Sequence, residues 1–293
     1  MKIIITGSLG NISGPLTEQL VKAGHDVTVV SSSANKKADI EKFGASAAIG
    51  SVEDIEFLTK TFTGADVVYS MVPQQATSSD YKAFIRKIGQ NYAVALKAAG
   101  IKNVVNLSSI GAHLSSGTGP IAGMHDAEEI LNKLDGVNIK HLRPASFYYN
   151  FNNNIGMIKH MGILGGNYPA DARIVLVHPK DIADVAFEEI TAPFSGTTIR
   201  YIASDEKTAG EVTAILGTAI GKPELPWIQF TDEQSVAGMQ QAGLSEDVSK
   251  NLTEMGTAVR SAILWEDYDK HQPVLSKRKF EDFANEFAEN YNK

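Results

Sequence analysis

The stretch that decides the fold is MKIIITGSLGNISGPLTEQL, which covers Met1–Leu20. Ile3–Ile5 is a run of β-branched residues, and such a run is typical of a buried parallel strand. An apolar pattern at helical spacing begins at Leu16. Between the two patterns lie Gly7 and Gly10, so the segment is predicted to be a strand, a tight glycine turn and the start of a helix.

A turn of this kind is suited to bind a pyrophosphate. Gly7 lets the chain bend, and Gly10 lets the backbone approach a phosphate without a Cβ atom in the way. The free N–H groups and the positive end of the helix dipole then face the anion. The alternative is an ordinary corner between a strand and a helix that happens to carry glycines. The predicted dinucleotide contacts of the turn are Gly7, Leu9, Gly10, Asn11 and Ile12.

The end of the second predicted strand, His25–Val30, indicates which dinucleotide is bound. An acidic residue here would bind the 2′-hydroxyl of NAD(H), whereas hydroxyl and basic residues accommodate the 2′-phosphate of NADP(H). The chain continues with Ser31–Ser33 and Lys36 and has no Asp or Glu in this segment. NADP(H) is therefore favoured over NAD(H), with Ser31, Ser32, Ser33 and Lys36 as predicted contacts. The alternative is a polar loop whose lysines face water.

Composition limits the class of protein. The chain has 293 residues, 43% of them hydrophobic and 21% charged, which suits one globular domain with an appended lobe. The formal net charge of −7 argues against a nucleic-acid-binding surface. No apolar run is long enough to span a bilayer, and the first strand leaves no room for a signal sequence. The absence of cysteine excludes disulfides and thiolate metal sites, so a cytoplasmic protein without a metal centre is expected.

Strand and helix patterns alternate along the chain, which predicts a Rossmann-type, doubly wound parallel sheet with a smaller, mainly helical C-terminal lobe. We assign residues 1–150 to the dinucleotide-binding domain and 151–293 to a substrate-binding lobe. Segments near 174–205, including Ile174–Val177 and Thr198–Ile202, are expected to return to the sheet. Ligands of such sheets bind at the carboxyl ends of the strands. The further cofactor contacts predicted there are Ser51, Met71, Val72, Pro73, Ser108, Ser109, Pro144 and Ser146.

Several short motifs, in order, resemble the NmrA-like family of atypical short-chain dehydrogenase/reductases, including its quinone-reductase-like members. The motifs are Thr6-Gly7-x-x-Gly10, Gly64-Ala65-Asp66-Val67-Val68, Asn103-Val104-Val105-x-Leu107-Ser108-Ser109, Leu142-Arg143-Pro144 and Asp181-Ile182-Ala183. The similarity covers nearly the whole chain. One departure is Ser13, which stands where the family usually has its third glycine.

The wider superfamily uses a Tyr-x-x-x-Lys pair as its acid–base group, and this chain lacks it. No tyrosine lies between Ile110 and Asn138, Lys133 stands alone, and Ile110 occupies the place of an active-site serine. The machinery for simple alcohols and ketones and for sugar-nucleotide epimerisation is therefore absent. The resemblance to quinone reductases places His125 near the nicotinamide as the candidate catalytic residue. The alternative is a residue that merely belongs to the first turn of a helix.

Aromatic residues follow the sixth predicted strand and suit a flat, apolar substrate pocket. We predict substrate contacts for Phe147, Tyr148 and Phe151, although aromatic clusters more often pack a core. The resulting function is hydride transfer from NAD(P)H to a quinone-like or other conjugated small molecule. The alternative is a non-catalytic NADP(H)-binding redox sensor of the NmrA type, which would act through a regulatory protein partner or as a homodimer.

Overall fold

The structure is a computed structural model that describes residues 1–293. Its strands are β1 (Lys2–Ile5), β2 (Asp26–Ser31), β3 (Ser46–Ile49), β4 (Val67–Met71), β5 (Asn103–Leu107), β6 (Asn138–Pro144), β7 (Ser146–Phe147), β8 (Leu164–Gly166), β9 (Arg173–Val177), β10 (Thr197–Ile202), β11 (Asp205–Thr208) and β12 (Trp227–Gln229). Its helices are α1 (Ser13–Lys22), α2 (Lys37–Lys42), α3 (Ile55–Phe62), α4 (Tyr81–Ala98), α5 (Pro120–Leu131), α6 (Ile155–Met161), α7 (Pro179–Thr191), α8 (Ala209–Ala219), α9 (Asp232–Gln241), α10 (Glu246–Arg260), α11 (Glu266–Lys270) and α12 (Phe280–Tyr291).

Seven parallel strands form the central sheet, in the order β10-β6-β5-β4-β1-β2-β3. The strand order reverses at β1, which pairs with β2 on one side and β4 on the other. A ligand cleft is expected at such a reversal, outside the carboxyl ends of the strands. The predicted doubly wound Rossmann-type fold with a helical C-terminal part is confirmed.

The β-branched run of β1 is explained by burial on both faces of the sheet. Ile3 and Ile5 belong to a cluster of 33 buried hydrophobic residues on one face, and Ile4 belongs to a cluster of 15 on the other. All three side chains are fully buried. A strand covered on both faces has no polar side to alternate with, so its sequence is continuously apolar.

The prediction for the strands after residue 170 is half right. β10 joins the central sheet beside β6, as expected. The expectation that Ile174–Val177 also returns to that sheet is wrong, because β9 pairs antiparallel with β11 and parallel with β7 in a separate three-stranded sheet. β10 already occupies the edge beside β6, so β9 pairs instead with the short strand that follows the turn at Ala145.

A third cluster of 13 buried hydrophobic residues holds the C-terminal part together. Phe280 and Phe287 of α12 are fully buried in it, and they pack with Leu216 of α8. The stretch Phe280–Tyr291 forms α12 as an amphipathic helix. No helix in the structure has the length and apolar character needed to cross a membrane.

Packing of α12 predicts a large effect for Phe280→Ala. Removing this fully buried ring should lower the free energy of unfolding by about 3–5 kcal/mol through lost transfer energy and a residual cavity. Urea denaturation followed by circular dichroism measures the change. Val274→Ala is the control, since that side chain is 97% exposed and should change stability by less than about 0.5 kcal/mol. Equal effects of the two substitutions would contradict the docking of α12.

Candidate functional site

The glycine turn after β1 is held in a conformation that only glycine accepts easily. Gly7 has a φ of +97°, in the left-handed region. A Cβ atom on Gly7 would lie 2.2 Å from Sδ of Met71 and 2.8 Å from Oγ of Ser13. The turn backbone is therefore pressed against the end of β4 and the start of α1, with no room for a side chain between them.

Ser13, the departure from the family pattern, strengthens this packing. Its hydroxyl donates a hydrogen bond to the carbonyl oxygen of Thr6 at 3.1 Å, and the residue is 1% exposed. A Cβ atom built on the next residue, Gly14, would lie 3.7 Å from the backbone of Leu9. The serine thus joins the helix start to the strand end by a hydrogen bond.

The start of α1 presents unpaired N–H donors. No side chain caps the helix, and no acidic residue lies in its first turn. An α-helix leaves its first N–H groups without intrahelical partners, and together with the helix dipole they form a ready anion site. This donor set fits the pyrophosphate of a dinucleotide. The N–H groups of the turn that find no acceptor within the protein are those of Gly7, Leu9, Asn11, Ile12 and Ser13.

The end of β2 lies directly beside this turn. The N–H of Ser8 donates to the carbonyl of Val30 at 3.0 Å, and the Ser8 hydroxyl donates to Oγ of Ser31 at 2.9 Å. Ser8 itself has a φ of 55°, which is unusual for a residue other than glycine. Ser31 is buried, whereas Ser32, Ser33 and Lys36 are exposed. The ammonium group of Lys36 has only a distant carboxylate partner, Asp39 at 3.9 Å.

The remaining predicted cofactor residues follow the carboxyl ends of neighbouring strands, as the sheet topology requires. Met71 contacts the glycine turn, and its carbonyl accepts a hydrogen bond from the Tyr92 hydroxyl at 2.7 Å. Ser108 is buried and its hydroxyl has no partner within the protein. Ser109 instead donates to the carbonyl of Ile110. The others are Ser51, which is exposed, Val72 and Pro144, which are buried, and Pro73 and Ser146, which are half-buried.

The imidazole of His125 is anchored at one nitrogen and free at the other. Nδ1 lies 2.9 Å from the carbonyl oxygen of Ala112, in the loop that follows β5. A carbonyl only accepts, so Nδ1 carries the hydrogen and the neutral ring has an unprotonated Nε2. Nε2 makes no hydrogen bond in the protein and is reached by solvent. This arrangement leaves one nitrogen ready to exchange a proton.

The aromatic cluster after β6 divides between core and surface. Tyr148 is fully buried, packs edge-on against Phe280 at 5.1 Å, and donates its hydroxyl to the carbonyl of Arg278. It offers no surface to a substrate in this structure, so the expectation that it contacts one disagrees with its burial. Phe151 packs against Phe280 at 5.4 Å but keeps part of its ring exposed, and Phe147 is half-buried.

Sequence reasoning missed His113. Both of its ring nitrogens are shielded from solvent and make no hydrogen bond, and burial lowers the pKa of its imidazole. The residue lies directly after Ala112, whose carbonyl anchors His125. No spacing motif distinguishes His113 in the sequence, because the unpartnered nitrogens result from how the loop after β5 packs.

One cavity of about 570 Å³ lies away from the glycine turn. It runs along the edge strand β10 and is lined by Ile199, Tyr201, Asp267, His271 and Val274, among others. Two of its lining residues, Tyr201 and Asp267, form hydrogen bonds with the buried Arg143 of β6. No group of three or more His, Cys, Asp or Glu side chains in the structure could hold a metal ion.

The conformation of the turn predicts a specific defect for Gly7→Ala. The new methyl group should displace Met71 and Ser13 and misplace the free N–H groups, weakening NADPH binding by at least about tenfold, equivalent to about 1.4 kcal/mol. Fluorescence titration measures the dissociation constant. Gly24→Ala is the control, because Gly24 also has a positive φ but nothing lies within 4 Å of the added atom. Unchanged NADPH affinity in Gly7→Ala would contradict the assignment of the turn.

Comparison with known proteins supports the dinucleotide assignment. An NAD(P)H azoreductase from Xenophilus azovorans is 22% identical over 258 residues, which make up 86% of this chain and 85% of that protein. Among solved structures, a Staphylococcus aureus protein described as a nucleoside-diphosphate-sugar epimerase has a TM-score of 0.80 at 19% identity, covering 97% of this chain and all, 100%, of that one.

Two further solved structures contain a dinucleotide. The triphenylmethane reductase of Citrobacter sp. complexed with NADP(H) has a TM-score of 0.78 at 19% identity, with 98% of this chain and 99% of that one covered. The NADPH-dependent quinone oxidoreductase of Escherichia coli complexed with NADPH has a TM-score of 0.74 at 19% identity, with 97% and 99% covered. These neighbours confirm the predicted resemblance to the NmrA-like dehydrogenase/reductases. A family model described as NAD(P)H-binding matches residues 7–193, well over half of the chain, and the protein therefore belongs to that NAD(P)H-binding family.

Proposed function

We propose that this protein is an NADPH-dependent oxidoreductase that reduces quinone-like or other conjugated small molecules. The observation that carries the proposal is the pairing of a phosphate-binding turn with an anchored histidine, His125, in a chain without the Tyr-x-x-x-Lys pair. The names of three relatives, an azoreductase, a triphenylmethane reductase and a quinone oxidoreductase, support it. Those three names all describe reduction of extended conjugated molecules.

The preference for NADPH follows from the charges at the end of β2. Segment 31–37 carries hydroxyl and ammonium groups and no carboxylate, so a 2′-phosphate meets attraction instead of repulsion. Lys36 is exposed and only weakly paired, and its ammonium group is free to bind a phosphate. The complexes of two neighbours with NADP(H) and NADPH support the same preference.

The chemistry divides between the dinucleotide and the protein. NADPH, when bound, supplies a hydride, and the overall change is acceptor plus hydride plus one proton giving the two-electron-reduced acceptor. A simple ketone becomes a strongly basic alkoxide and needs a strong acid beside it, whereas a reduced quinone is a delocalised and much weaker base. When the ring of His125 is protonated, its transferable proton is at Nε2, while its Nδ1–H donates a hydrogen bond to the carbonyl of Ala112.

We assign the substrate side of the site to the half-buried rings of Phe147 and Phe151. Both follow β6, close to Pro144 and Ser146, and both keep apolar surface that a flat molecule could cover. Tyr148 is left out of this assignment because the third hydrophobic cluster surrounds it completely.

The rival function is a redox sensor that binds NADP(H) without turnover and acts through a protein partner or as a homodimer. The missing Tyr-x-x-x-Lys pair favours it as much as it favours the enzyme. A sensor would bind NADPH, leave every acceptor unreduced, and show no dependence of its binding on His125.

Lys36→Ala should weaken binding of NADPH by about tenfold, or about 1.4 kcal/mol, and leave binding of NADH within about twofold. The reason is the loss of an attraction that only the 2′-phosphate experiences. Titration of both dinucleotides by fluorescence measures the effect. Lys42→Ala is the matched control, since Lys42 is also exposed and also pairs with Asp39, but lies at the far end of α2. An equal loss for NADPH and NADH would contradict the assignment of Lys36.

His125→Ala should lower kcat for quinone reduction by about ten- to a hundredfold, at or below the lower limit of the usual range for general acids, because the reduced acceptor is a weak base. The measurement is the loss of reduced-nicotinamide absorbance, corrected for the absorbance of the acceptor, across quinones, azo dyes and enals. His160→Ala is the control, because His160 is exposed on α6. NADPH binding without turnover of any acceptor in the unsubstituted protein would favour the sensor.

A further inference from the structure

We propose that Arg143 and Glu128 are positioning residues for the reaction, which hold the helix of His125 against the carboxyl end of β6. The inference rests on the proposed function for its kinetic consequences but is derived from contacts that neither the family match nor the relatives assign. Arg143 and Glu128 form an ion pair with 6% and 4% of their side chains exposed. The guanidinium donates from Nε to Oε1 at 3.0 Å and from Nη2 to Oε2 at 2.7 Å.

This pair joins two elements that flank the site. Glu128 lies one helical turn after His125 on α5, and Arg143 directly precedes Pro144 at the end of β6. The carbonyl of Pro144 accepts the N–H of Ile110 at 2.9 Å, in the loop whose Ala112 carbonyl anchors the imidazole. The imidazole of His125 is thus held by the loop through Nδ1, and the helix that carries it is held to β6 through Glu128.

Arg143 extends the connection to the C-terminal part. Its Nη1 donates to the hydroxyl of Tyr201 at 3.0 Å and to Oδ2 of Asp267 at 3.3 Å, and the same hydroxyl donates to Asp267. Burial alone would raise the pKa of the Asp267 carboxyl, but the hydrogen bond from Tyr201 and nearby positive charge lower it overall. Burial alone would lower the pKa of the Arg143 guanidinium, but its hydrogen bonds and ion pair with Glu128 raise the pKa overall. The guanidinium therefore stays charged and joins α5, β6, β10 and α11.

Stability alone is a weak explanation for such a pair. Taking two charges out of water is expensive, and apolar residues of similar volume often stabilise a fold as well or better. A bidentate pair does define the distance and orientation of the two elements that it joins. Misplacing a catalytic group by about 1 Å can reduce a rate by about a hundredfold. We therefore assign to the pair the role of fixing the distance and orientation of α5 and β6 at the site.

The same strand provides a matched control. Lys140 of β6 forms an ion pair with Glu189 of α7 at 3.0 Å, with 8% and 18% of the side chains exposed. Residues 140 and 143 point to opposite faces of the strand, so this second pair joins β6 to a helix remote from His125. If an effect arises simply from the loss of a buried carboxylate, it should appear whether the Arg143–Glu128 pair or the Lys140–Glu189 pair is broken.

The experiment compares Glu128→Gln and Arg143→Lys with Glu189→Gln in the full chain. All three should lower the midpoint of thermal unfolding. Only the first two should lower kcat, by about ten- to a hundredfold, with the dissociation constant of NADPH within about twofold. In ¹⁵N-histidine NMR spectra, only the first two should shift the ring signals of His125, which His125→Ala identifies. Arg143→Lys should lose activity although it keeps the positive charge, because lysine cannot bind the carboxylate of Glu128 bidentately.

Tyr201→Phe is the milder variant if the others do not fold. It removes one hydroxyl from the Arg143 network and leaves the pair with Glu128 intact, so a smaller shift of the His125 signals is expected. Unchanged His125 signals in Glu128→Gln, or equal kinetic losses in Glu189→Gln, would overturn the proposal. If the unsubstituted protein reduces no acceptor, the proposed function fails, while the NMR comparison still decides the positioning role.

Discussion

The rest of the structure depends on the close approach of the turn after β1 to the end of β4. Gly7 lies in the left-handed region with Met71 directly beside its Cα, and this contact directs the first turn of α1 across the carboxyl edge of the sheet. β1 can occupy that place because its isoleucines supply both faces of the sheet with apolar surface. The turn leaves several N–H groups without acceptors in the protein, and free donors at the start of a helix are suited to an anion.

The molecule maintains two arrangements that are unfavourable in isolation. The start of α1 has no capping side chain and no carboxylate in its first turn, although both would stabilise the helix. A buried guanidinium and carboxylate meet at the end of β6, where apolar packing would avoid the desolvation of two charges. Both arrangements lie at the carboxyl edge of the sheet. Selection for binding and geometry at that edge, at some expense in stability, explains why they coincide.

Much of the central sheet could be predicted from the sequence because its signals are local. Runs of β-branched residues identified β1 and β2 within one residue of their observed bounds. The pairing of β9 could not be predicted, since its apolar pattern is the same whichever sheet receives it. The complete burial of Tyr148 depends on Phe280, which lies far away in the sequence. The unpartnered nitrogens of His113 depend likewise on tertiary packing alone.

The tautomer of His125 connects the missing motif to the class of acceptor. A Tyr-x-x-x-Lys pair provides a phenol whose pKa is lowered by the lysine, and such an acid can protonate a strongly basic alkoxide as it forms. His125 instead has its Nδ1–H committed to the carbonyl of Ala112, so a neutral ring offers only a lone pair at Nε2. In the proposed reaction, such a ring would donate a proton only after taking one from water. A proton supplied in this way would suit an acceptor whose reduced form persists until protonation, as a delocalised hydroquinone anion does and an alkoxide does not.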